Sequence, residues 1–110
     1  MTVTIRVALY LRVSSEEQEK NQTIRSQETV LNEHLERRAD EITLVGAYPD
    51  EAVSGMLALE DRPNGARLLS DCRAGLIDEV WVTRLNRLGR TALKILNAHE
   101  KLEVAGIELV

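Results

Sequence analysis

Two hydrophobic rhythms take turns along this chain. Val3 to Leu11 is dense in Val, Ile, Leu and Tyr, which predicts a buried strand. A polar stretch from Arg12 to Gln22 follows. From Thr23 onward, Ile24, Leu31 and Leu35 fall at helical spacing with charged residues between them, the pattern of an amphipathic helix that ends near Ala39. Ile42 to Tyr48 reads as a second strand. Pro49, Asp50, Ser54 and Gly55 then open an irregular loop. Asp61 stands where a helix N-cap is expected, with Pro63 tolerated in the first turn, and that helix carries Leu68, Leu69 and Cys72 before stopping near Gly75. Ile77 to Thr83 predicts a third strand and Arg84 to Arg90 a tight basic loop. Thr91 to Val104 predicts a helix closed by Gly106, and Ile107 to Val110 the start of a fourth strand.

Strand and helix alternating at these lengths argue for one α/β domain, a mostly parallel sheet with helices on both faces. The last strand is cut by residue 110, so the natural protein is expected to continue. In such sheets ligands gather outside the carboxyl ends of the strands. Three polar segments are due there: 12–18, 50–55 and 84–90. Together they would bring two adjacent serines, an acid and several arginines to one edge, a set suited to a phosphate ester.

Composition narrows the classes. No apolar run approaches the roughly 20 residues of a membrane helix, and the start lacks the basic flank and apolar block of a signal peptide, so a cytoplasmic protein is expected. Cys72 is the only cysteine, which excludes an internal disulfide or a cysteine-rich zinc site, and no His-Glu-x-x-His or aspartate-rich pattern suggests a metal. No cofactor is expected either. The formal net charge of -4 is unfavourable for binding nucleic acid. The basic residues are nevertheless skewed, with eleven Arg against three Lys, and Arg84, Arg87, Arg90 and Lys94 share one short window. The planar fork of arginine suits bidentate contact with phosphate.

Ser14 and Ser15, met alone, would be turn or capping serines. Their place at the end of a strand, two residues after Arg12, changes the balance. A serine hydroxyl is a weak nucleophile at neutral pH and needs help with its proton. His34 and His99 both fall inside predicted helices, away from this edge, so a Ser-His-Asp arrangement is not expected. Clustered arginines offer another route, since positive charge favours the alkoxide-like form and stabilises charge developing on phosphoryl oxygens.

The run Tyr10, Arg12, Val13, Ser14, Ser15 and Gln18 resembles the signature of the serine site-specific recombinases, the resolvase and invertase superfamily, in which Tyr-x-Arg-Val-Ser introduces the nucleophile. Arg84-Leu-Asn-Arg-Leu-Gly-Arg90 is similar to that family's Leu-Asp-Arg-Leu-x-Arg block. Leu85 and Leu88 are expected to anchor this loop, and Gly89 to permit its tight turn. Asn86 stands where the family usually has Asp. Asp50, Ser54 and Gly55, with Arg62 and Pro63 beyond, resemble the loop that leads to an active-site arginine, and Gln18 and Gln27 fit family positions. The segment from Gly55 to Leu69 looks more like the large serine recombinases, phage integrases and related transposases, than the small resolvases.

The resemblance implies a resolvase-like catalytic domain, incomplete at its C-terminal end, lacking the dimerisation helix and the DNA-recognition domain. It implies Ser14 as nucleophile, and Arg12, Arg62, Arg87 and Arg90 around the phosphoryl group. Tyr10, Gln18, Gln27, Asp50, Ser54 and Asn86 fall in supporting or substrate-binding places. The implied reaction is cleavage, exchange and religation of double-stranded DNA through a 5′-phosphoserine link, by a homo-oligomer that is a dimer to a tetramer, without metal or ATP. Asn86 favours an alternative, a non-catalytic recombinase-like assembly module. A nucleotide-binding domain shares the strand-helix alternation, but no Gly-x-Gly-x-x-Gly or Walker-type loop follows the first strand.

Overall fold

The computed structural model describes residues 4–14 and 23–110. Among them, β1 (Ile5–Val13), β2 (Ile42–Glu51), β3 (Glu79–Trp81) and β4 (Glu108–Leu109) form one sheet in the order β2-β1-β3-β4, with every pairing parallel. The helices are α1 (Ile24–Arg37), α2 (Pro63–Arg73) and α3 (Ala92–Val104), with 3-10 turns at Leu59–Asp61 and Leu85–Arg87. The expected α/β class holds, and among the described residues the three expected helices are present.

Alternation along β1 divides the core in two. Val7, Leu9 and Leu11 face α1, where they meet Leu31 and Trp81, with Ile24 and Leu35 at the margin. Ala8 and Tyr10 face the other way, into a larger cluster with Leu68, Leu69 and Cys72 of α2 and Ala98 and Leu102 of α3. Helices therefore cover both faces, and β1, buried from Val7 to Val13, is the strand they share.

Local chemistry fixes the ends. Thr23 caps α1 in a reciprocal box, its Oγ1 accepting from Ser26 N at 3.0 Å while Thr23 N donates to Ser26 Oγ at 3.2 Å. α2 and α3 each close with a left-handed glycine, Gly75 at φ 77° and Gly106 at φ 80°. In both, the next residue donates back into the helix, Leu76 N to Asp71 O at 3.1 Å and Ile107 N to Leu102 O at 2.9 Å.

Several expectations need correction. β2 does not stop at Tyr48: Pro49, Asp50 and Glu51 continue the strand opposite Leu11, Arg12 and Val13. Pro49 is tolerated because β2 is an edge strand. The loop begins instead at Ala52, whose left-handed φ of 56° turns the chain so that Val53 N reaches Val13 O at 3.1 Å. Asp61 does not cap α2. It lies in the preceding 3-10 turn, and the N-cap residue is Arg62, whose side chain makes no cap bond. β3 is only three residues long, which leaves β1 without a strand neighbour on its β3 side beyond Leu9.

Candidate active site

The segments that leave β1, β2 and β3 meet at the carboxyl edge of the sheet, and backbone carbonyls hold them together. Past Leu9, β1 has no strand on its β3 side, so the main chain of Arg12 must find other partners. Gln27 of α1 supplies them. Its Oε1 accepts from Arg12 N at 3.3 Å and its Nε2 donates to Arg12 O at 2.9 Å. A buried glutamine thus imitates the missing strand and fixes the backbone two residues before Ser14. Arg87 Nη1 donates to the same Arg12 carbonyl at 3.1 Å, joining the basic loop to β1.

The Arg12 guanidinium returns the contact. Nε donates to Arg87 O at 3.0 Å, Nη2 to Asn86 O at 2.7 Å, and Nη1 to Val53 O at 3.0 Å. Arg62 is completely buried and uses all five of its N–H donors. Nε and Nη2 donate to Leu57 O, Nη1 to Arg87 O at 2.8 Å and to Tyr10 Oη at 3.0 Å, and Nη2 also to Leu88 O at 2.5 Å. The Arg87 carbonyl therefore receives both Arg12 and Arg62.

Asp50 is the link between this hub and α2. The first turn of a helix leaves backbone N–H groups without partners, Pro63 removes one of them, and no Arg62 side-chain bond serves the rest. The Asp50 carboxylate, arriving on β2, accepts from Asn64 N and Gly65 N, each at 2.9 Å, and from Tyr10 Oη at 2.8 Å. It caps the helix from another strand. Burial raises the pKa of Tyr10 despite the opposing pull of Arg62, so the phenol stays protonated and donates to Asp50.

Ser14 is half-buried at the end of β1 and Arg90, Arg84 and Asn86 are exposed, whereas Arg12, Arg62 and Arg87 are buried. Ser54 is exposed, its Oγ accepting from Met56 N at 3.1 Å as turn chemistry. Ser15 and Gln18 lie outside the described residues. His34 and His99 are exposed on α1 and α3. Among the described residues, no group of three His, Cys, Asp or Glu could hold a metal ion, and no helix is long and apolar enough to cross a membrane.

Two details of the basic loop differ from expectation. Leu88 is its buried anchor, but Leu85 is 55% exposed and anchors nothing. Gly89 is not at positive φ. It is needed because a Cβ there would lie 2.5 Å from Lys94 Cβ and 2.8 Å from Lys94 C, so the loop can lie against the first turn of α3 only without a side chain. Sequence reasoning also passed over two partners. Gly55, read as turn chemistry, is a point of close approach: its carbonyl accepts from Arg90 N at 2.9 Å, and a Cβ would sit 2.9 Å from Arg90 Cβ and 3.0 Å from Arg12 Nη2. Asn64 closes the Asp50 cap and also reaches Pro49 O through Nδ2. Neither shows in hydrophobic periodicity.

The model of the resolvase N-terminal domain matches residues 7–110. No curated protein sequence matches the chain. Among solved structures, the N-terminal catalytic domain of TP901-1 integrase is similar at 26% identity and TM-score 0.81, over 96% of this chain and 75% of that one. A serine recombinase from Sulfolobus solfataricus is similar at 26% identity and TM-score 0.70, over 97% of this chain and 67% of that one. A resolvase family site-specific recombinase from Streptococcus pneumoniae shares the fold at 24% identity and TM-score 0.76, over 97% of this chain and 71% of its own. With the family model covering all of the sheet but the first two residues of β1, and all the segments at its carboxyl edge, the chain belongs to the resolvase N-terminal domain family, the catalytic domains of serine site-specific recombinases.

Proposed function

We propose that Ser14 is the nucleophile of a DNA recombinase. Its Oγ attacks the scissile phosphorus, an Oγ–P bond forms, and the P–O3′ bond breaks. The serine proton is lost and the departing 3′ oxygen takes one up. The product is a 5′-phosphoserine link that conserves the phosphoester energy, so religation by the 3′ hydroxyl of an exchanged strand needs no nucleotide hydrolysis. Arg12, Arg62, Arg87 and Arg90 form the cationic environment that stabilises the phosphoryl oxygens. Tyr10, Asp50 and Gln27 act behind them, fixing the backbone and the arginines; Gln18 and Ser54 belong to the margin of the site. The substrate is double-stranded DNA, held between copies of a homo-oligomer in the cytoplasm, and recognition falls to a region beyond residue 110. The likeness to an integrase agrees with the large-recombinase character of the segment from Gly55 to Leu69.

One observation carries this reading: Ser14 follows directly on the strand end whose Arg12 is bonded through both main chain and side chain to the basic loop. The nucleophile and the arginines thus share one edge. The test is covalent trapping on nicked suicide duplexes with the full-length protein, followed by peptide mapping. DNA is expected on Ser14, and Ser14→Ala should abolish attachment while leaving the melting temperature nearly unchanged, because a half-buried loop hydroxyl adds little to the core. An adduct on Ser15 instead would move the nucleophile by one residue.

A further inference from the structure

The saturation of Arg62 is at odds with its proposed use. A guanidinium has five N–H donors, and here every one of them ends on a protein oxygen, in a side chain with no exposed surface. Two of those oxygens, Arg87 O and Leu88 O, belong to the basic loop, and Arg12 also donates to two carbonyls of that loop, Asn86 O and Arg87 O. The loop that carries Arg87 and Arg90 toward a phosphate is therefore the same element whose backbone dipoles occupy Arg62 and hold part of Arg12.

We infer that the basic loop is a latch with two positions. Docked, as here, its carbonyls neutralise the buried guanidiniums and no phosphate can reach Arg62. Lifted, it releases four carbonyl contacts at once and turns those donors toward a DNA phosphate at Ser14. The loop is built to move as a unit. Its internal bonds, Arg87 N to Arg84 O at 3.1 Å and Leu88 N to Leu85 O at 2.9 Å, need not break. One of its attachments to the segment after β2 is Arg90 N to Gly55 O at 2.9 Å, at a glycine where any Cβ would press on Arg90 Cβ and on Arg12 Nη2. Leu88 is the apolar anchor that holds the loop down. Gly55 is accordingly a positioning residue: its lack of a side chain keeps the latch shut. This inference rests on the phosphate-binding role proposed above for Arg62, and it adds that DNA meets this role only after the loop has moved.

A ligand that binds only the lifted form has its affinity reduced by the fraction of molecules lifted, so loosening the latch must tighten binding by the factor by which it raises that fraction. Gly55→Ala and, by a separate route, Leu88→Val both loosen it. The measurements are hydrogen exchange of the Arg90 amide and the affinity of a short DNA duplex of arbitrary sequence, at low salt, for the 110-residue chain. Exchange should rise about tenfold and affinity by a similar factor in both variants. Faster exchange with unchanged or weaker affinity would overturn the latch, as would unchanged exchange in both. The adduct at Ser14 is a separate readout. If DNA attaches there while exchange and affinity fail to move together, the catalytic reading stands and the latch fails. If they move together and no DNA is ever attached, the latch stands and the catalytic reading fails.

Discussion

Asn86 is where a single side chain most directly bears on activity. It is exposed, and the contact it makes with Arg12 runs through its backbone carbonyl, which any residue supplies. Replacing the amide with a carboxylate therefore tests charge alone. An Asp there would sit between Arg84, Arg87 and Arg90 along the chain, able to orient one of them by a charge-assisted hydrogen bond or to take up a proton, neither of which an amide can do by charge. Asn86→Asp is expected to cleave faster than the natural sequence in single-turnover assays. The difference should be fully present above about pH 5 and fade as the new carboxylate protonates near about pH 4. Equal rates and equal pH profiles would remove any role for charge at this position. Cleavage seen only in Asn86→Asp would favour the non-catalytic module. Gln27 shows the opposite relation between sequence and structure. A glutamine in an amphipathic helix usually lies on the surface, and only the shortness of β3 explains why this one is buried against Arg12.

At the scale of elements, the seam between the basic loop and α3 depends on closeness more than on conformational freedom. Gly89 has an ordinary φ, yet a Cβ would meet the side chain and backbone of Lys94 and the backbone N of Ile95. Gly89→Ala should therefore destabilise the domain by about 1 to 3 kcal/mol, the usual cost of overpacking. Gly46→Ala is the control: it sits at the register shift of β2, where nothing lies within 4 Å of a Cβ, and its denaturation midpoint should stay close to that of the natural chain. Equal loss in the two would show that glycine's close approach at residue 89 is unimportant. The same contrast explains what was legible beforehand. Strands, helices and their glycine stops follow from local periodicity and capping, and Thr23, Gly75 and Gly106 carry that information in themselves. The cap of α2 does not, because its carboxylate comes from Asp50 on another strand, and Asp61 merely occupied the right place in the sequence. Nor did the sequence disclose that the arginine motifs would be buried on carbonyls, since Arg12, Arg62 and Arg87 look like surface residues until the three loops are brought together.

Taken as a whole molecule, the domain sets one short basic cluster against an acidic background. Its net charge is -4, while Arg84, Arg87, Arg90 and Lys94 cluster within the basic loop and the start of α3. Affinity for DNA without sequence preference scales with the number of phosphates neutralised, each adding close to one unit to the slope of log affinity against log salt. Of these four, Arg87 is buried and Lys94 half-buried, so only Arg84 and Arg90 are exposed. The 110-residue chain should accordingly bind duplex DNA weakly, with a salt slope of about 2 and no preference between sequences. Mobility shifts at low salt, repeated across a salt series with unrelated duplexes, measure all three quantities. A steep slope would mean that more phosphates are engaged than Arg84 and Arg90 can neutralise, and that cations outside this pair also reach DNA. Tight, sequence-selective binding by this chain alone would be more damaging: it would place recognition inside the catalytic domain, and the proposed separation of cutting from reading would have to be abandoned.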